Sequence, residues 1–184
     1  MTRITNYNDR GTCILFGDGA GAVVLSPSTT KRGIIDSLIN CKGKYGHLLQ
    51  IPAGGSKKAV DEDVIKNSED KMYMDGKRVF KHAVTFMSDH IKKLLVNNGL
   101  EKKDISMYIG HQANARITEA IAATLRVKNE KLPSNIAYYG NTSAASIPIL
   151  LAELVRDKKL KTGEYVILTA FGAGFVWGSL LIKW

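Results

Sequence analysis

Apolar residues recur at three- and four-residue steps from Val79 through Phe80, Ala83, Val84, Met87, Ile91, Leu94 and Leu95, with Gly99 at the natural stop. That spacing predicts a helix over 77–98, since positions three and four apart share one helix face. Met107–Gly110 is a short apolar run that predicts a strand, followed by His111-Gln-Ala-Asn114 and a second helix through about Leu125. Ile136-Ala-Tyr-Tyr139 reads as another strand, and Gly140-Asn141-Thr142-Ser143 leads into a third helix over about 144–157. Pro148 must then sit in that helix's first turns, where a missing N–H costs least. Tyr165–Ala170, a Gly172-Ala173-Gly174 turn and Phe175–Lys183 read as a closing hairpin, and residues 33–39 as a further strand. Strands alternate with helices, so the expected class is α/β with a mixed sheet.

Two stretches lack this clarity. Residues 11–25 contain Gly17-x-Gly19-x-Gly21, the spacing of a dinucleotide-binding turn. A phosphate loop must run into a helix whose N-terminal amides face the phosphate. Here the β-branched run Ala22-Val-Val-Leu25 follows and ends at Ser26-Pro27, so a hairpin is expected instead. From Cys41 to Gly76 periodicity is lost, and a charged middle runs through Lys57, Lys58, Asp61, Glu62, Asp63, Lys66, Glu69 and Asp70. So long a loop is either functional or a mobile insertion.

Composition narrows the class. The chain has 184 residues, 45% of them hydrophobic and 23% charged, which excludes a disordered chain and supplies enough apolar mass for a core. No apolar run reaches membrane-spanning length, and the polar start is not that of a secretory signal. Cys13 and Cys41 are too few for a disulfide framework or a zinc site, so a reduced, cytoplasmic protein without metal is expected. The 26 Lys and Arg against 17 Asp and Glu give a net charge of +9, which favours acidic partners. The basic residues are scattered, with no long basic block or interleaved aromatics, so nucleic acid ranks below an acidic protein or a plain solvated surface.

The candidate chemistry lies at three junctions: His111 after its strand, Asn141 after the next, and the Phe171-Gly172-Ala173-Gly174 turn. Ligands in open α/β sheets gather at strand ends. If those strands are neighbours, an imidazole N–H and an amide NH₂ converge on one oxygen, as an enolate or tetrahedral oxyanion requires. Structural alternatives stand beside this: His111 or Asn114 as helix caps, and Asn141 as a turn residue. His47, His82 and His90 have no partner at metal-ligand spacing, His82 and His90 being placed on or beside the helix surface. Neither cysteine has the setting of an activated thiol. Donors are visible, but a nucleophile is not.

Five blocks in order resemble β-ketoacyl-acyl carrier protein synthase III, a thiolase-fold family. They are Asp9–Leu25, Met74-Asp-Gly-Lys-Arg-Val-Phe80-Lys, His111-Gln-Ala-Asn-Ala-Arg-Ile117, Tyr139-Gly-Asn141-Thr-Ser-Ala-Ala-Ser-Ile-Pro148 and Ala170-Phe-Gly-Ala-Gly-Phe-Val-Trp-Gly-Ser179. The resemblance implies a thiolase-like half-domain over 41–184, with a mixed five-stranded sheet and helices on its faces. Residues 1–40 would be a remnant of the N-terminal half, with closing strands carried without their sheet. It implies a decarboxylative Claisen condensation of acyl-CoA with malonyl-acyl carrier protein, with no further cofactor. His111 and Asn141 would hold the malonyl thioester enolate. Phe171, Gly172, Ala173 and Gly174 would line the acyl-thioester oxyanion site. Met74, Gly76, Phe80, Ala113, Asn114 and Ile117 would line the pantetheine channel, and Arg116 would dock the acidic carrier protein. The family's nucleophilic Cys belongs to a half that this chain, matching roughly the C-terminal three-fifths, does not contain; that half and a homodimer partner are implied companions. Two residues depart from the pattern, Gly110 where the family has Pro and Ala173 where it has Gly. Both are expected to loosen positioning groups, the second because alanine tolerates positive φ poorly. A truncated remnant that folds without catalysing, and binds carrier protein or itself, is the alternative reading.

Overall fold

A computed structural model describes residues 1–184. The most periodic segment forms its longest element, α3 (Gly76–Asn97), one residue earlier at each end than its pattern predicts. Asp75 opens it by accepting the Arg78 N–H at 3.1 Å, and Asn98 closes it by donating from Nδ2 to the Leu94 carbonyl at 2.8 Å. Its buried face carries Val79, Ala83, Met87, Ile91, Leu94 and Leu95.

The main sheet has four strands in the order β1 (Gly33–Cys41), β6 (Val176–Lys183), β5 (Tyr165–Gly172) and β4 (Ile105–Gly110). β4 and β5 run parallel, and the other two pairs are antiparallel. Side chains alternate between faces along each strand. Tyr108 and Ile167 join the larger core under α3 and α4 (Ala115–Leu125), while Ile109 and Val166 pack with Leu150 and Leu154 of α6 (Ser146–Arg156). The mixed sheet with helices on its faces is as expected, with Pro148 in the first turn of α6.

The expected fifth strand is missing. Ile136–Tyr139 is one turn of helix, α5, closed by the Gly140 N–H on the Ile136 carbonyl at 2.8 Å. Its tyrosines favour strands, but Tyr138 is 85% exposed, so no sheet face buries it. The expected hairpin over 11–25 is also absent. Arg10–Cys13 forms a short helix, α1, capped by Asp9, and residues 17–32 have no regular structure. Strands need neighbours for their backbone groups, and Val24 at 95% exposure has none.

β1 has a sheet to sit in. Rather than being carried without a sheet, it pairs with β6 at eight positions, from Gly33 opposite Lys183 to Cys41 opposite Val176. His90 differs too: it is 2% exposed, with Nε2 2.8 Å from Asn40 Oδ1, because α3 packs closely on this end of β1.

The aperiodic stretch 41–76 is built from short pieces. β2 (Leu49–Gln50) and β3 (Tyr73–Met74) form a two-stranded ribbon, and Asp61 caps a short helix, α2 (Glu62–Lys66). Buried Leu48, Ala53 and Val64 anchor it. No helix is long and apolar enough to cross a membrane.

Candidate active site

His111 follows the last residue of β4, where its backbone N–H continues the sheet by donating to the Thr169 carbonyl at 2.8 Å. The side-chain amide of Gln112 turns back to donate to the Gly110 carbonyl at 2.9 Å. The Gly110–His111 peptide is thus held at both its N–H and its carbonyl. The imidazole Nδ1 lies 2.6 Å from Ser146 Oγ. Burial pushes the His111 pKa down to about 4, so the ring is neutral at pH 7.

Asn141 arrives by a different route from the one expected. It follows α5 and Gly140, not a strand, and is held by the N-terminal segment: Asn141 N–H donates to Leu15 O at 2.8 Å and Gly17 N–H to Asn141 O at 3.0 Å. The buried side chain accepts the Ser143 N–H on Oδ1 at 2.9 Å. A backbone N–H can only donate, so the amide orientation is fixed and Nδ2 is left as a free donor.

These contacts explain the glycine spacing. Residues 17–21 run across the Asn141 loop and the start of α6, with Gly17, Gly19 and Gly21 facing it. A Cβ on Gly17 would sit 2.0 Å from the Tyr139 carbonyl oxygen, and one on Gly21 would sit 2.6 Å from Pro148 Cγ. The motif is a contact strip, neither a phosphate loop nor a hairpin. Gly17→Ala is therefore expected to lower stability by about 1–3 kcal/mol through overpacking. Gly43→Ala, with nothing within 4 Å of its Cβ, is the control, and thermal melts of the two variants make the comparison.

His111, Asn141 and Phe171 line one cavity of about 820 Å³, walled mainly by apolar side chains. Of the other residues singled out from the sequence, Met74, Ala113, Ile117, Gly172 and Ala173 line it as well. Gly76, Phe80, Asn114, Arg116 and Gly174 do not: Phe80 packs on the core, Asn114 caps α4 by accepting the Arg116 N–H at 3.0 Å, and Arg116 is exposed. Positive φ in the glycine turn falls on Gly174 at +136°, not on Ala173, so the alanine methyl brings no backbone strain. Leu49, Gln50, Ile51, Met72 and Met74 give the cavity a wall from the aperiodic stretch. Neither cysteine reaches it. Sequence reading missed Ser146, Ser143 and Phe16, which also line it.

The neutral ring gives a pH signature. Its folded pKa lies below the ordinary histidine value of about 6.5, so the unfolded chain binds the extra proton between that value and about 4. The contribution of His111 to stability is full above the unfolded pKa and is lost as pH falls through this window. Burial also lowers the His82 and His90 values, so the isolating comparison is with His111→Gln. Denaturation of that variant is expected to show a shallower loss of stability from pH 6.5 to 4 than wild type.

The model described as 3-Oxoacyl-[acyl-carrier-protein (ACP)] synthase III C terminal matches residues 95–184, and its companion, 3-Oxoacyl-[acyl-carrier-protein (ACP)] synthase III, matches residues 1–43. The chain belongs to the 3-oxoacyl-[acyl-carrier-protein] synthase III family. It is 43% identical over its whole length to a β-ketoacyl-[acyl-carrier-protein] synthase III of Roseiflexus sp. (strain RS-1), covering 56% of that protein. It superposes over its whole length on the crystal structures of the synthases III from Pseudomonas aeruginosa PAO1 (TM-score 0.88, 39% identity) and Aquifex aeolicus VF5 (0.87, 37%), covering 55% of each. The chain thus spans about half the length of the synthases III that it matches, with their thiolase-like fold.

Proposed function

We propose that this chain is the His/Asn part of a condensing enzyme that initiates type II fatty acid synthesis in the cytoplasm, joining acyl-CoA to malonyl-acyl carrier protein. One observation carries the reading. His111, neutral at pH 7, and Asn141, whose Oδ1 is occupied and whose Nδ2 is free, border the same apolar cavity. A malonyl thioester seated there presents its carbonyl oxygen to both donors. The bond from the α-carbon to the carboxylate breaks, CO₂ leaves, and the electron pair moves into the thioester as an enolate whose oxygen the two N–H groups stabilise. A low-dielectric wall strengthens both interactions.

The enolate carbon then attacks an acyl thioester on a cysteine, whose thiolate leaves. Cys13 and Cys41 lie away from the cavity, so that cysteine comes from a second polypeptide segment. Arg116, exposed at the start of α4, suits an acidic carrier protein, which gives part of the +9 charge a use. The proposal includes no further cofactor, metal, nucleic acid or membrane partner. CO₂ release from malonyl-CoA tests it: slow release by the chain is expected, and none above the buffer rate would end the reading.

A specific observation favours a second reading, a folded remnant that self-associates. Val24 is 95% exposed, Leu25 78% and Ile39, on the edge strand β1, 75%. Unpaired edges and apolar surface promote association.

A further inference from the structure

Ser146 is buried at the start of α6, five residues after Asn141, and its hydroxyl has two neighbours: His111 Nδ1 at 2.6 Å and the Gln112 backbone N–H at 3.2 Å. The geometry points to Ser146 as the residue that fixes His111 in the tautomer protonated on Nε2, a positioning role for the proposed donor pair. The Gln112 N–H can only donate, so Ser146 Oγ accepts from it. The hydroxyl proton then has one acceptor within reach, the Nδ1 lone pair. Were Nδ1 protonated, Oγ would receive two donors and its own buried proton would have none, which a buried hydroxyl disfavours.

The Gln112 N–H is itself held in place. Its side chain donates to Gly110 O and accepts from Ser134 Oγ at 2.6 Å and from the Asn135 N–H at 3.3 Å. That network pins the backbone whose N–H occupies Ser146, and so directs the Ser146 proton to His111. Nε2 has no partner within the chain, and its proton is the one left for a ligand in the cavity that His111 lines. The opposite tautomer would set a lone pair against an oxygen gaining negative charge. Ser146 at the start of α6 would thus set the His111 donor, and the Asn141–Ser143 bond in the turn before the helix sets the amide.

The mechanistic consequence rests on the reading of His111 as an oxyanion donor; the tautomer does not. Long-range ¹H–¹⁵N correlation spectra of the chain labelled at histidine, recorded at pH 7, test it directly. In wild type, His111 Nδ1 is expected at a pyridine-type shift and Nε2 at a pyrrole-type shift. Ser146→Ala is expected to move both toward averaged values, and Ser146→Thr, which keeps the hydroxyl, to restore the separation. A pyrrole-type Nδ1 in wild type would overturn the proposal whether or not any variant folds. An unchanged pattern in a folded Ser146→Ala protein would overturn it equally. Either result would leave malonyl-thioester decarboxylation, measured separately, free to stand or fall alone.

Discussion

His111→Ala and Asn141→Ala are each expected to slow malonyl-thioester decarboxylation by about 10²–10³-fold, the usual loss when one oxyanion donor is removed. The charge that must be stabilised does not exist in the ground state. Each donor therefore acts mainly on the transition state, and the loss should fall on kcat more than on KM. Asn141→Ala also frees the Ser143 N–H that its Oδ1 now receives. His111→Ala leaves the Ser146 hydroxyl without its 2.6 Å partner. Both variants thus carry a structural cost, and thermal melts belong beside the rates. With both donors on one oxygen, as proposed, the double variant is expected to fall well short of the product of the single losses. Multiplicative losses would indicate two separate sites.

The second large effect is on condensation. With acyl-CoA and malonyl-acyl carrier protein supplied, the 184-residue chain alone is expected to release CO₂ yet form no 3-ketoacyl product. Carbon–carbon bond formation requires an acyl group held within reach of the enolate, and no thiol borders the cavity. Enolate formed without that partner is protonated by water and leaves as the acetyl thioester. A Cys-bearing N-terminal segment of a relative, added in trans, is expected to restore product. Mass spectrometry of the carrier-protein thioesters separates these outcomes, and 3-ketoacyl product from the chain alone would contradict the assignment.

Much of this was legible where local pattern and tertiary structure agree. The α3 stripe from Val79 to Leu95 is buried as its period demands. His111 could be placed at a strand end because an apolar run stops there in a polar tetrapeptide. Asn141 borders the cavity, but not by the expected route. Tyr138 and Tyr139 suggested a strand, but a one-turn helix and a pairing with residues 15–17 deliver the side chain. The 17-19-21 glycine spacing was visible, yet its purpose depends on a surface over 120 residues distant in sequence. Ser146 gave no signal, since a serine at a helix start reads as an ordinary N-terminal residue. The hairpin expected over 11–25 rests on β propensity and a glycine turn, which fail where no neighbouring strand accepts the backbone.

The proposed convergence of His111 and Asn141 on one thioester oxygen is read by titrating a malonyl thioester analogue that cannot lose CO₂ into the ¹⁵N-labelled chain. The His111 Nε2–H and Asn141 Nδ2H₂ signals are predicted to move together along one binding curve. Movement of only one signal, or of neither at saturation, would contradict the account.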